Sequence, residues 1–193
     1  MPPAAIYGFH VLFFAMFLVR ILGGRGTPSA SAAQAPAPTQ ARFPRLVVHL
    51  HGLAFGVMYF GIGNAVFGRG WVAPGAEHPV VGAAILVAAT GLVLWALLWF
   101  RSWKLAAAVD AGHELATGGP FARIRHPLYT GFDLLAIGSC VWLPSWITLA
   151  GAAAMIAASD VRARVEERLL VAAFGDRYRD YMTRTRRFVP FVY

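Results

Sequence analysis

Two short stretches of this chain hold the residue types that could do chemistry. The first runs from His113 through Gly118-Gly119-Pro120 and Arg125-His126-Pro127 to Tyr129 and Gly131. A Gly-Gly-Pro turn frees the backbone to approach a ligand closely. Pro127 suits the first turn of a helix, where its missing N–H costs nothing. Arg125 and His126 therefore stand at a helix N-terminus, a favourable place for an anion such as a carboxylate. The second stretch is Glu166-Glu167, within Arg164 to Leu170. Taken singly, each residue has a plainer reading. Arg123 and Arg125 would be boundary arginines, His126 an interfacial histidine, and the Glu pair a solvated helix face beside Arg162 or Arg164. Alone, none of them makes a site.

The elements that would position them are membrane helices. Of 193 residues, 58% are hydrophobic and 13% charged, against roughly 45–50% and about 25% in soluble domains. That leaves too little polar surface to cover a water-soluble globule. A net charge of +8 raises nucleic acid as a partner. The arginines, however, fall between and after apolar runs, so membrane topology explains them better and no nucleic acid is expected. The one cysteine, Cys140, excludes an internal disulfide and a Cys-rich zinc site, and no metal is expected.

A spanning helix needs about 20 apolar residues to cross a hydrocarbon core of about 30 Å. Five stretches approach this: Ala4 to Leu22, Leu46 to Phe67, Pro79 to Phe100, Leu128 to Leu143, and Ser145 to about Ser159. The last two are short and separated only by Pro144, which predicts a helical hairpin with Trp142 and Trp146 as interfacial aromatics at its tip. The expected fold is all-α: a polytopic membrane protein of about five transmembrane helices, its last two forming a short hairpin. It reads as a single membrane domain over 1–193, with spans and a linker in 1–112 and a functional core in 113–193. Sixteen of the 17 basic residues then fall on one side, and only Arg69 on the other. The positive-inside rule puts the N-terminus outside and the tail in the cytoplasm. Sixteen Arg to one Lys, with abundant Ala, points to a GC-rich bacterial genome and hence an inner membrane. No positive charge precedes the first apolar run, so a span is expected there and not a cleaved signal. Thr27 to Gln40, rich in Ala, Pro and Ser, reads as a flexible linker.

From Asp160 to Thr183 charges are dense, and Val165, Leu169, Leu170, Ala173, Phe174, Tyr178 and Tyr181 recur at helical spacing. This predicts an amphipathic cytoplasmic helix continuing out of the membrane, broken at Gly175. Phe188 to Tyr193 is expected to fold back onto the membrane face, and Arg162 to face solvent and lipid headgroups. His49 and His51, on different faces of the second span, read as helix–helix hydrogen-bonding groups.

As a set, Gly-Pro-aromatic, Arg-His-Pro-x-Tyr-x-Gly, a helical hairpin and Glu-Glu-x-x-Leu resemble the isoprenylcysteine carboxyl methyltransferase family and the related membrane phospholipid N-methyltransferases. The resemblance continues through Phe174-Gly175, Tyr178 and Tyr181 to Arg187-Phe188-Val189-Pro190, and covers His113 to Pro190. Ala116 and Phe121 replace a more usual Val and Tyr. Asp133 stands in the fourth span where an apolar residue is expected.

The resemblance implies an enzyme that uses S-adenosylmethionine, enclosed between the cytoplasmic loop and the tail, with a lipophilic or lipid acceptor entering from the bilayer. It assigns the cofactor to His113, Leu115, Gly119, Pro120, Arg125, His126, Pro127, Tyr129, Glu166 and Glu167, with Arg125, His126 and Glu167 at the chemistry. Because Glu166 and Glu167 point about 100° apart on a helix, one of them is expected to touch ligand, and the sequence does not say which. Substrate positions are Asp133, Tyr181, Arg184 and Arg187. Intramembrane acids are rare and usually functional, and Asp133 lies one turn beyond Tyr129 on the same face. Carboxyl O-methylation of an isoprenoid or prenylcysteine-like acceptor leads the expectations, with phospholipid N-methylation and thiol S-methylation as alternatives. Sterol reductases share the His-Pro-x-Tyr-x-Gly element and would imply a nicotinamide cofactor. The Gly-Gly-Pro-Phe turn, Leu128 and Glu166-Glu167 favour the methyltransferase.

Overall fold

In the computed structural model of the chain, residues 1–23, 45–68, 77–99 and 115–193 are described. The expected linker at 27–40 and His113 lie outside them. The described residues are all helical apart from turns and one isolated bridge. Helices α1 (Ile6–Gly23), α2 (Arg45–Val66) and α3 (Pro79–Trp99) carry almost unbroken apolar sequence. Among the described residues, three helices, Pro3–Gly23, Leu46–Val66 and Pro79–Trp99, are long and apolar enough to cross a membrane. The protein is an integral membrane protein of helical architecture.

Helix α4 (Pro127–Trp142) has 16 residues, about 24 Å at 1.5 Å per residue and short of a full crossing. Helix α5 (Trp146–Phe174) has 29 residues, about 43 Å. It runs without interruption from the apolar half into the charged half, as the helical spacing of apolar residues predicts. Pro144 cannot continue α4, and Ser145 restarts the chain: its hydroxyl caps the Thr148 N–H while the Thr148 hydroxyl caps the Ser145 N–H. This reciprocal cap satisfies two orphaned donors inside an apolar setting. Gly175, at φ +56°, turns the chain into α6 (Asp176–Arg184).

Helix α4 packs chiefly on α3, and α5 on α2. Small residues set the spacing: a Cβ on Gly151 would stand 2.7 Å from the Met58 Cα, and one on Gly82 would stand 2.7 Å from the Trp142 Cβ. Close approach of this kind is how helices associate where water gives no driving force. A buried polar bridge adds to it, with His10 held between the hydroxyls of Tyr59 (2.8 Å) and Ser139 (2.9 Å). Trp142 corrects the sequence expectation. It is 1% exposed, edge-on to Phe9, and is a core residue of the hairpin, because Gly82 lets the Trp142 Cα and Cβ come close to α3. Trp146 remains exposed.

Candidate active site

The two chemically interesting stretches meet where α5 leaves the apolar layer. A 3-10 turn over Gly119–Ala122 leads into the segment before α4. Gly119 has φ +58°, and a Cβ there would lie 2.5 Å from Trp99. The close approach that this turn permits is therefore to the Trp99 indole. The tail then docks along the same segment: Arg125 N–H donates to the Arg186 carbonyl at 2.7 Å, His126 N–H to Arg187 at 3.1 Å, and Arg186 N–H to Arg123 at 3.1 Å. A parallel bridge of Ile124 with Arg186 registers the two. The Tyr181 hydroxyl fastens α6 to the Phe121 carbonyl at 2.6 Å.

Glu167 is the electrostatic centre. Its carboxylate accepts from Arg125 Nε at 2.8 Å and from Arg187 Nη2 at 2.7 Å. His126 Nε2 stands 3.3 Å away. Burial by itself would raise the Glu167 pKa, but the approach of His126 and the bonds from Arg187 and Arg125 outweigh it and hold the carboxyl well below the usual range. The Arg125 guanidinium is otherwise spent on the Met182 and Thr185 carbonyls. Arg125 and Glu167 thus clamp the tail to the turn.

Glu166, one position earlier, points elsewhere. It accepts the Tyr129 hydroxyl at 2.7 Å and its side chain is 28% exposed. Of the pair it is the one with an open carboxylate face. The His126 ring stacks on Tyr129 with centroids 5.4 Å apart, and its Nε2 is buried with no aligned hydrogen-bond partner among the described residues. The partly exposed Glu166 carboxylate beside the Tyr129 ring is therefore the acceptor this cluster leaves toward a ligand, a group suited to an ammonium, while His126 Nε2 faces Glu167.

Other expected positions divide. Pro120 and Pro127 are buried at the turn and at the first turn of α4. Leu115 precedes the turn, half-buried. Arg187 joins the cluster and also reaches Asp160 (3.1 Å) and the Tyr193 hydroxyl (2.6 Å). The Tyr193 hydroxyl meets Arg164 (2.8 Å) and Asp160 (2.9 Å), which turns the chain end back on α5. Asp160 would be raised by burial, yet Arg164 and Tyr193 lower it below the ordinary range. Arg184 is not brought in: it stays exposed, its Nε on the Asp180 carbonyl.

Arg162 contradicts the sequence expectation. Its guanidinium carbon lies 5.2 Å from the Tyr129 ring centroid. Helical spacing carried the signal, since Arg162 and Glu166 are four apart and share a face. Asp133 accepts from the Ser159 hydroxyl at 2.7 Å, and the same oxygen lies 3.4 Å from His51 Nε2. This joins three helices. Ser159 and Tyr193 carried no sequence signal. His49 is exposed.

Residues 78–177 match the phospholipid methyltransferase family. The protein-S-isoprenylcysteine O-methyltransferase of Schizosaccharomyces pombe is 33% identical over 81 residues, 42% of this chain and 34% of that relative. The match thus spans about a third of the curated relative's length. The solved eukaryotic intramembrane Ras methyltransferase, isoprenylcysteine carboxyl methyltransferase, shares the fold. Its TM-score is 0.63 at 19% identity, covering 100% of this chain and 68% of that one.

Proposed function

We propose that this chain, which belongs to the phospholipid methyltransferase family, transfers a methyl group from S-adenosylmethionine to a lipophilic acceptor drawn from the bilayer. The observation that carries this reading is the partly exposed Glu166 carboxylate against the Tyr129 ring, beside the buried clamp of Glu167 with Arg125 and Arg187. Glu166 would take the ammonium of the cofactor's amino-acid end. Arg125 and Glu167 would act through position, by holding tail and turn together. When bound, S-adenosylmethionine supplies an electrophilic methyl on a sulfonium. The protein's work is then to orient the two partners and exclude water. A carboxylate acceptor of isoprenoid type is the expectation carried by the curated relative's name, and it needs no base. Amines and thiols must lose a proton.

The five-span arrangement belongs to the same proposal, with the N-terminus outside and the tail in the cytoplasm of a bacterial inner membrane. In a Cys140→Ala background, Asp180→Cys should label from the cytoplasmic side and Glu77→Cys from the opposite side. The reverse would overturn the orientation. For the function, titration of detergent-solubilised protein with S-adenosylmethionine should raise its thermal stability by mass action, and labelled methyl should enter a lipid extract. A folded preparation with no shift at saturating cofactor would sink the reading.

A further inference from the structure

The 188–193 turn presents apolar side chains outward. Phe191 is 90% exposed and Val192 76%, and Val189 is exposed beside them. Water around such a patch is unfavourable, yet the turn is bonded in a way that keeps it out. The Phe188 and Val189 N–H groups donate to the Tyr193 carbonyl at 2.7 and 2.8 Å, and the Tyr193 N–H donates to the Val189 carbonyl at 3.1 Å. Phe191 itself takes φ +67°, the one non-glycine residue with positive φ among the described residues. Bulky side chains rarely adopt that backbone, and strain kept at an exposed aromatic points to a use for its orientation. The root of the turn belongs to the candidate site. Phe188 is buried with Tyr129 and Ala163, and its carbonyl accepts the Thr130 hydroxyl at 3.1 Å.

The place of the turn decides what meets it. The Tyr193 hydroxyl donates to Asp160 at 2.9 Å and accepts from Arg164 at 2.8 Å. At 100° per residue, Asp160 and Arg164 share one face of α5 with Leu149 and Ile156, both exposed apolar residues. That is the face α5 turns to lipid. From exposed Trp146 to Arg164 the helix rises about 27 Å, against about 30 Å of hydrocarbon. The turn therefore hangs on the lipid side of α5, at the level where acyl chains give way to headgroups. We propose that Phe191 and Val192 anchor the tail in this interface, with their side chains among the outer acyl carbons. Arg164 and Arg186, both exposed, stand at the same end of the turn to meet lipid phosphate. The anchor acts on the site through the next residues inward, since Arg187 Nη2 bonds Glu167 at 2.7 Å and Phe188 packs on Tyr129. A protein partner or a second copy would have to reach the patch through the headgroup layer, so depth selects lipid. The inference goes beyond methyl transfer and rests on α5 crossing the bilayer, part of the arrangement proposed above.

Nitroxide labels in the full chain test this, in nanodiscs of phosphatidylcholine and phosphatidylglycerol. In a Cys140→Ala background, labels go at Phe191→Cys, at Ile156→Cys as the lipid reference and at Asp180→Cys as the water reference. The Phe191 label should resemble the Ile156 label, relaxed by dissolved oxygen and shielded from a water-soluble nickel chelate. A Phe191 label as open to nickel as the Asp180 label overturns the proposal. Dipolar broadening between Phe191 labels on two copies also overturns it, because a second copy then covers the patch. An Ile156 label open to nickel would instead remove the crossing of α5, while the Phe191 label still decides the anchor. The second measurement is trypsin cleavage of the tail after Arg184 and Arg186. Phe191→Asn tolerates the positive φ and removes only the ring. Cleavage in nanodiscs should quicken by about tenfold, the scale of taking one aromatic side chain out of an apolar surround, and Phe191→Trp should keep the wild-type rate. A purely local role for Phe191 in the turn predicts the reverse, with Asn as slow as wild type, and that result overturns the anchor.

Discussion

Arg125 Nε and Glu167 Oε1 meet at 2.8 Å with side chains 9% and 6% exposed, so the tail of the chain is held to the turn before α4 by a buried ion pair. Forty-two residues separate the partners. Removing one partner of such a pair strands the other, which costs about 3–5 kcal/mol. Glu167→Ala and Arg125→Ala should therefore lower thermal stability and open the tail to limited proteolysis. A Glu167→Ala protein with a wild-type cleavage pattern would show that the clamp holds nothing.

Glu166 should behave in the opposite way. Its side chain is 28% exposed and it accepts one hydrogen bond from Tyr129, which Gln can also accept. Glu166→Gln should change stability by no more than about 1 kcal/mol, yet weaken S-adenosylmethionine binding by about tenfold through loss of a charge-assisted bond. Calorimetric titration beside a melting curve separates the two effects.

The depressed Glu167 carboxyl has a definite pH consequence. Its ionised form is what the arginines bind, so its contribution is complete above about pH 4.3, the ordinary glutamate value. It fades as pH falls through the lower folded value. Asp160 is also depressed and acts in the same direction. Hydrogen exchange of the Thr185 to Phe188 amides should stay slow at pH 5 and quicken only in stronger acid. Release between pH 7 and 5 would contradict the assignment.

Gly119→Ala should destabilise the turn twice over. A non-glycine residue at φ +58° costs roughly 1–2 kcal/mol, and its Cβ would collide with Trp99 at 2.5 Å. Adding Trp99→Ala should restore only the steric part, leaving a residual loss in the melting curve.

Arg162→Ala should not be silent. A guanidinium over a partly desolvated ring contributes up to about 2 kcal/mol, and Arg162 sits over Tyr129. Stability and acceptor turnover should both fall, whereas Arg164→Ala, at an exposed i,i+4 pair with Asp160, should change little. Equal effects would place Arg162 back in solvent.

The sequence by itself determined the helical, lipid-solvated architecture, the hairpin at Pro144, the unbroken α5 and the break at Gly175. These follow from local rules of apolar length, proline geometry and helical spacing that act over a few residues. It also marked Arg125, His126, Glu166 and Glu167 as a set. What it could not assign was which glutamate is consumed by the fold and which stays open, because both occupy the same short segment and differ only in what other helices bring to them. Arg125 reaches Glu167 from the turn before α4 and Arg187 from the segment after α6, while Tyr129 reaches Glu166 from α4. The burial of Trp142 depended on Gly82, the place of Arg162 on the rotation of α5 against Tyr129, and the His51–Ser159–Asp133 chain on three helices that meet only in the folded bundle. Long-range pairings of this kind are set by packing between elements, and packing leaves no period in the sequence.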